Sequence, residues 1–517
     1  MNAYTNVAQL FEKLTDTERN ILFALLFMLD SRGDNYNGKS KALFHFLNEK
    51  ENTATFTEVE NHLYPTGGKS TFHRLLLRFS EKIEEAMLLD TNLYRAERYS
   101  ELQRQKLKAS KSLLKARMYL YWKQEKHVER LCTNVIETAQ KFEFMGIWLQ
   151  ALELLGELPF YATNEKASIK LEKQYTAVIG MMQLANEAVR VWHTNKQPFL
   201  LNDSDLLSIE IKTESLQLAL KRNYSVKADL LIRLLKARLT VSKKQYTDAK
   251  RLFKSAIDLI TEKSDIIESR LIGDARLNYA ETLFILCRFK ECIAECEFIN
   301  ALEEQPDETK IRTLEIEFKA RFYTQQFTVA QSSLNTLLAM NGVNSEQRYI
   351  WRLWFSQLLI IQDQHTAAAD LLSELILQKQ YMAKYGFCVI QLLIAANSKT
   401  ERNEKFVIHL NKWIQRISFK EDNSEREQKI CVLLQSLYAN GFNFRQTLLE
   451  HQELIFWLQQ PENWSIHSNE LIRFEDWFFS MRTNSNLIVS TPKYNTPEQI
   501  FTPVESINQA ENELTAQ

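Results

Sequence analysis

The sequence predicts an all-α protein, an α-solenoid of antiparallel helix pairs behind a small N-terminal helical module. Three observations lead there. Glycine (11) and proline (8) are scarce in 517 residues, far below average usage of about 7% and 5%. Apolar residues recur at helical spacing through most of the chain. One register of ring, small and apolar residues also returns about every 40 residues. Glycine supplies positive φ and proline removes a backbone donor, so both gather in tight turns and loops. A long chain with little of either reads as helices joined by short polar connections.

Residues 1–92 form the first region. Four of the eleven glycines lie here, so its connections are longer and less regular. Helices are expected over Thr15–Leu29, Ser40–Asn48, Thr57–Leu63 and Ser70–Leu89. Thr15 with Glu18 three residues on makes a capping box. Ser70 would cap the last helix, whose Phe72, Leu75, Leu76, Phe79, Ile83 and Met87 fall at helical spacing. A short helix, a Pro-Thr-Gly-Gly turn and a long helix resemble a helix-turn-helix module in outline. The nine-residue apolar run Ile21–Leu29 is too short for the roughly 20 residues that span a bilayer. No membrane segment is expected.

From 93 to 460 the register appears. A ring residue is followed by a small one three later, a large apolar or small one at seven, and an apolar one at ten. It reads Tyr246/Ala249/Phe253/Ala256, Phe289/Cys292/Cys296/Ile299, Phe327/Ala330/Leu334/Leu337 and His365/Ala368/Leu372/Leu375. Nine residues before the ring stand Ala237, Ala280, Phe318 and Ser356, and the ring residues are 43, 38 and 38 apart. Lys-Ala-Arg recurs at 115–117, 236–238 and 319–321 with intervals near multiples of the same period. Small residues belong where two antiparallel helices cross closely, with the ring wedged against the neighbouring pair. One pair cannot bury its apolar stripe alone, so pairs must stack. This register resembles the tetratricopeptide repeat (TPR) family in a degenerate, lengthened form, over about residues 228–378 and more loosely over 93–460. The family's usual period is about 34 residues, and its Trp-x-x-Leu-Gly-x-x-Tyr signature is absent here. The resemblance implies a superhelix of helix pairs.

The array would close with a capping helix at 461–484. Nine aromatic residues between Phe442 and Phe479 crowd 38 positions, and an exposed end of a repeat array needs covering. Residues 485–517, with Thr-Pro pairs at 491–492, 496–497 and 502–503, read as a disordered tail.

Catalytic motifs are missing. There is no HExxH, GxSxG or GxGxxG, and no two histidines lie closer than the eleven residues between His62 and His73. Gly67-Gly68-Lys69-Ser70 lacks the glycine that a phosphate-binding loop needs at position 63, which is Leu63. Cys292 and Cys296 share a helix face, but both occupy packing slots of the register, so core packing is expected rather than zinc. No cofactor, metal or catalytic residue is expected. Six cysteines within apolar helical patterns suit a reducing, cytoplasmic setting.

Charge is the remaining signal, since a formal net charge of −1 conceals local blocks. Residues 221–254 carry eleven basic and two acidic side chains, and residues 291–317 carry nine acidic and two basic. Arg104, Lys108, Lys111 and Lys115 follow i, i+4, i+7, i+11, one stripe of a helix. The leading expectation is an interaction scaffold that binds a protein or peptide partner. Its candidate residues are Arg233, Lys236 and Arg238, then the stripe Arg104, Lys108, Lys111 and Lys115. The alternative is a nucleic-acid-associated regulator that contacts DNA through Lys69, His73, Arg74 and Arg78. Solvated faces, or mutual neutralisation of the two charge blocks, would explain the same pattern without a partner.

Overall fold

The computed structural model describes residues 3–28, 36–49, 55–65, 69–89, 99–194, 203–302, 305–397, 412, 414, 424–460, 463–466, 468–483, 489 and 492. The described residues are helical, without strands, and consecutive helices pack in adjacent pairs. The chain divides into two compact units, residues 1–176 and 177–517.

The first unit begins with α1 (Ala3–Glu12), α2 (Asp16–Met28), α3 (Tyr36–Glu49), α4 (Phe56–Leu63) and α5 (Lys69–Leu89). These share a core of their own around Phe11, Leu22, Leu43, Val59, Phe72 and Phe79. The expected capping box forms: the Thr15 hydroxyl accepts from the Glu18 amide at 3.2 Å, and the Glu18 carboxylate accepts from the Thr15 amide at 2.8 Å. Helix α1 was not anticipated. Helix α5 starts one residue before Ser70, so that serine lies inside it rather than capping it. Next come α6 (Glu101–Tyr121), α7 (Glu125–Phe142), α8 (Met145–Gly156) and α9 (Pro159–Thr163). They enclose Leu113, Ala116, Val128, Cys132, Val135, Ala151 and Leu155. The long α10 (Glu165–Thr194) contains the boundary between the units.

The second unit holds the repeat. After α11 (Asp203–Leu220) the pairs are α12 (Val226–Ser242) with α13 (Tyr246–Glu262), α14 (Ser269–Ile285) with α15 (Phe289–Asn300), α16 (Asp307–Tyr323) with α17 (Phe327–Ala339), and α18 (Ser345–Ile361) with α19 (His365–Leu377). Then follow α20 (Lys379–Asn397), α21 (Glu425–Ala439), α22 (Phe444–Glu450), α23 (Gln452–Gln459) and α24 (Phe474–Thr483). Ala237, Ala280, Phe318 and Ser356 on the first helices are fully buried, as are Ala249, Cys292, Ala330 and Ala368 on the second. Each ring residue is the first residue of its helix. Phe289 wedges between Phe284 of its own pair and Tyr323 of the next, at 5.5 and 5.4 Å between ring centroids.

The turn inside each pair shows why so little glycine suffices. Lys123, Lys244, Cys287, Gln325, Asp363 and Gly441 all take the left-handed conformation, with φ between 56° and 60°. In each, that residue's amide donates to the carbonyl three back, and the next amide donates to the carbonyl five back, at 2.8–3.1 Å. This is a Schellman motif, which satisfies the last carbonyls of the helix. Glycine normally occupies the position, yet five of these six are not glycine. The same turn at Lys123 joins α6 to α7, so that pair carries the motif although Glu125 replaces the ring. The Lys-Ala-Arg triplets are not all equivalent: Ala116 and Ala237 lie seven residues before the left-handed residue, whereas Ala320 lies five before Gln325.

Candidate interaction surfaces

The basic block lies on α12 and α13, and most of it is engaged. Arg233 holds both carboxylate oxygens of Asp229 at 2.9 Å and donates to the Ser255 hydroxyl at 2.7 Å, tying α12 to α13. Lys236 is half-buried and donates to the Gln217 side chain. Arg238 is 8% exposed. Its guanidinium lies 3.3 Å from the Trp192 ring centroid and donates to Asn278 at 2.9 Å. Burial pushes its pKa down to about 9, so it stays protonated at neutral pH inside the array. Lys227, Lys243 and Lys254 pair with Glu268, Glu210 and Asp258, and Arg251 pairs with Asp248. Among the described residues, Lys221, Arg222, Lys244 and Lys250 have no ion pair.

The acidic block is balanced by its own neighbours. Glu295 pairs with Arg276, Glu291 with Arg288, and Glu297 and Glu317 with Arg321. The ion pairs of the two blocks therefore run to separate partners, and the charge pattern is largely local pairing. Cys292 and Cys296 are fully buried in the packing slots of α15. The Cys292 hydrogen bond, then burial, hold the Cys296 thiol well above its usual pKa.

The nucleic-acid candidates sit on α5. Arg74 and Arg78 are exposed, but Glu81, Glu84 and Glu85 on the same helix are exposed too. His73 is half-buried, its ring 5.4 Å from that of Phe56. The side chain of Lys69 and the turn at 66–68 lie outside the described residues.

The basic stripe lies on α6. Arg104 pairs with Glu101 at 2.6 Å, Lys108 and Lys111 are half-buried, and Lys115 is exposed. The structure adds what sequence reasoning missed. Leu107, Leu114, Met118, Tyr121 and the adjoining Trp122 are exposed, Leu114 to 60% and Tyr121 to 83%. Leu107, Leu114, Met118 and Tyr121 fall within about 60° of arc on an ideal helix. The buried Ala109, Leu113 and Ala116 occupy the opposite side. Helix α6 is thus apolar on two faces, of which α7 and α8 cover one. Helix α11 also exposes Leu207, Ile211 and Leu218, but Glu214 falls within that line.

A further surface is already filled. Residues 468–473, ahead of α24, lie outside any helix and cross α16, α18, α20 and α21. Lys319 donates to the Ser468 carbonyl at 3.3 Å, and Gln391 to that of Ile472 at 3.2 Å. The Gln357 side-chain oxygen accepts from the amides of Leu471 and Ile472 at 2.9 and 3.1 Å, and its amide group donates to the Asn469 carbonyl at 3.0 Å. Arg426 on α21 clasps Glu470 and Glu475 at 2.7–3.0 Å. Helices α16, α18, α20 and α21 thus hold a non-helical stretch of backbone supplied by the chain itself.

Comparison with protein-family models, curated proteins and solved structures finds no match for the chain. Among the described residues, no helix is long and apolar enough to cross a membrane.

Proposed function

We propose that the protein is a non-catalytic interaction scaffold that binds a protein partner through α6. The supporting observation is the exposed line of Leu107, Leu114, Met118 and Tyr121 on a helix whose opposite face is core. A contiguous exposed apolar line is a feature that monomeric proteins generally avoid outside interaction sites. Arg104, Lys108, Lys111 and Lys115 border it and would orient the partner. Arg233, Lys236 and Arg238 on α12 contribute mainly to packing within the second unit, since each already has a partner within the chain. We take the compartment to be the cytoplasm, because all six cysteines are unpaired.

The test is affinity capture from the native cell, with and without nuclease, comparing wild type with Leu114→Ser/Tyr121→Ser. A protein partner that survives nuclease and is lost from the variant is the expected result. Partners that vanish with nuclease and ignore the variant would instead favour the nucleic-acid reading through Arg74 and Arg78.

A further inference from the structure

We propose that the exposed face of α6 receives one amphipathic, acidic α-helix of a partner protein. The inference rests on the scaffold reading above and adds the partner's chemistry. The apolar line from Leu107 to Trp122 covers fifteen residues of advance, about 22 Å at the helical rise. That length matches roughly four turns of a second helix laid alongside. Apolar anchors at i, i+4, i+7 and i+11 on the partner would meet the line, as in other helix-on-groove recognition.

Charge chooses the occupant. Helix α6 carries Arg104, Lys106, Lys108, Lys111, Lys115 and Arg117 against the single acidic Glu101. On an ideal helix, Arg104, Lys108, Lys111 and Lys115 border one side of the apolar line, and Lys106 and Arg117 border the other. The one acidic side chain of α6, Glu101, lies ahead of the line, where it pairs with Arg104. A helix with Asp or Glu beside its apolar stripe would meet cations on both edges, the arrangement that sets partner choice in coiled coils. Two copies of α6 would instead face each other with like charge. A bilayer suits the face less well, because Lys111 sits at the edge of the apolar line beside Leu107 and Leu114, and immersion would draw its ammonium towards the acyl chains.

The experiment uses the full chain and a labelled synthetic helix of about twenty residues, with leucine at i, i+4, i+7 and i+11 and glutamate on both flanks. Fluorescence anisotropy should show binding that weakens as salt rises. A scrambled peptide, and the same helix with lysine flanks, should bind at least tenfold less tightly. Lys111→Glu/Lys115→Glu should lose at least tenfold affinity, and Leu114→Ser/Met118→Ser should lose binding. These positions face solvent or the edge of the line, and circular dichroism should show both variants folded as wild type. Equal binding of the acidic and basic helices, or indifference to the variants, would overturn the proposal. So would flotation of the chain with phosphatidylserine vesicles that depends on Leu114 and Met118. Concentration-dependent self-association abolished by Leu114→Ser/Met118→Ser would overturn it in favour of a second copy. Should capture of a native partner need Leu114 and Tyr121 while the peptides show no charge preference, the scaffold reading stands and the acidic-helix inference falls.

Discussion

Replacing Gln357 with alanine should release the segment 468–473 from the helices beneath it. Gln357 is 1% exposed, and its one side chain serves three backbone groups of that segment: the amides of Leu471 and Ile472 and the carbonyl of Asn469. Truncation leaves all three without their partner in a buried place. Each buried group left unsatisfied costs about 1–3 kcal/mol. The vacated volume admits water, which recovers part of the loss, so a net cost of about 3 kcal/mol is expected. At 1.4 kcal/mol per factor of ten, that raises local opening about a hundredfold. Hydrogen exchange by mass spectrometry reads this directly, because the Leu471 and Ile472 amides exchange only when the segment lifts. The expected result is faster exchange there and no change in the separate core around Phe11 and Phe72. Trp354→Phe provides a graded control. It removes the indole bond to Asn469 at 3.2 Å and shrinks the ring beneath Lys319, but keeps a ring stacked on Phe318, so its effect should be about 1 kcal/mol. Less than threefold acceleration in Gln357→Ala, or acceleration spread evenly over the chain, would refute the reasoning.

Other parts of the fold make their own predictions. Ala249 and Ala330 are fully buried at helix crossings, so Ala→Leu at either should cost about 1–3 kcal/mol in urea unfolding; a neutral result at both would mean the crossings are loose. Gln325 holds φ at 60°, a conformation costing L-residues about 1–2 kcal/mol. Gln325→Gly should therefore raise the urea midpoint, and a lowered midpoint would refute the role assigned to that turn. Burial pushes Glu475 up from 4.5 to about 7, against the pull of Arg426. The folded state then keeps a proton that the unfolded state releases, so this group's contribution declines as pH rises from about 4.5 to 7 and is flat above. Thermal midpoints of wild type and Glu475→Gln should converge towards high pH or cross in the variant's favour; a wild-type advantage that grows with pH would refute the assignment.

Much of the helix array was legible because burial repeats. Ala249, Cys292, Ala330 and Ala368 recur at one position, and a period survives even when its residues vary in size. The turns were less legible. Scarce glycine pointed to short polar connections without showing their conformation, and Lys244, Cys287, Gln325 and Asp363 supply the left-handed residues there. A local signal did exist: Lys123-Gln124, Lys244-Gln245, Gln325-Gln326 and Asp363-Gln364 each set a left-handed residue before glutamine, just ahead of the second helix. That pattern extends the turn to α6 and α7, where the ring is missing. The segment 468–473 was not legible, because its partners Lys319, Gln357 and Gln391 are between about 80 and 150 residues away and follow no period.

The interaction surface divides along a physical line. Charge recurring at i, i+4, i+7 and i+11 marks Arg104, Lys108, Lys111 and Lys115 as one stripe wherever their helix packs, because a solvated edge is the default place for such residues. The apolar residues of α6 allow no such inference. Leu107, Leu114 and Met118 obey the same helical period as Ala109, Leu113 and Ala116, and either set would serve as a core face. Only the neighbours α7 and α8, packed on one side, decide which set remains in water. The reverse holds at Arg238. Its neighbours in sequence are basic, which suggests a surface, but it follows Ala237 on a helix crowded from both sides. There the flat guanidinium stacks on Trp192 and bonds Asn278, an arrangement that keeps a buried charge partnered. A cation's sequence context therefore reports the charge of a region, while burial depends on which helices flank its own. On α6 those two criteria agree, with basic residues edging an uncovered apolar line, and on α12 they do not.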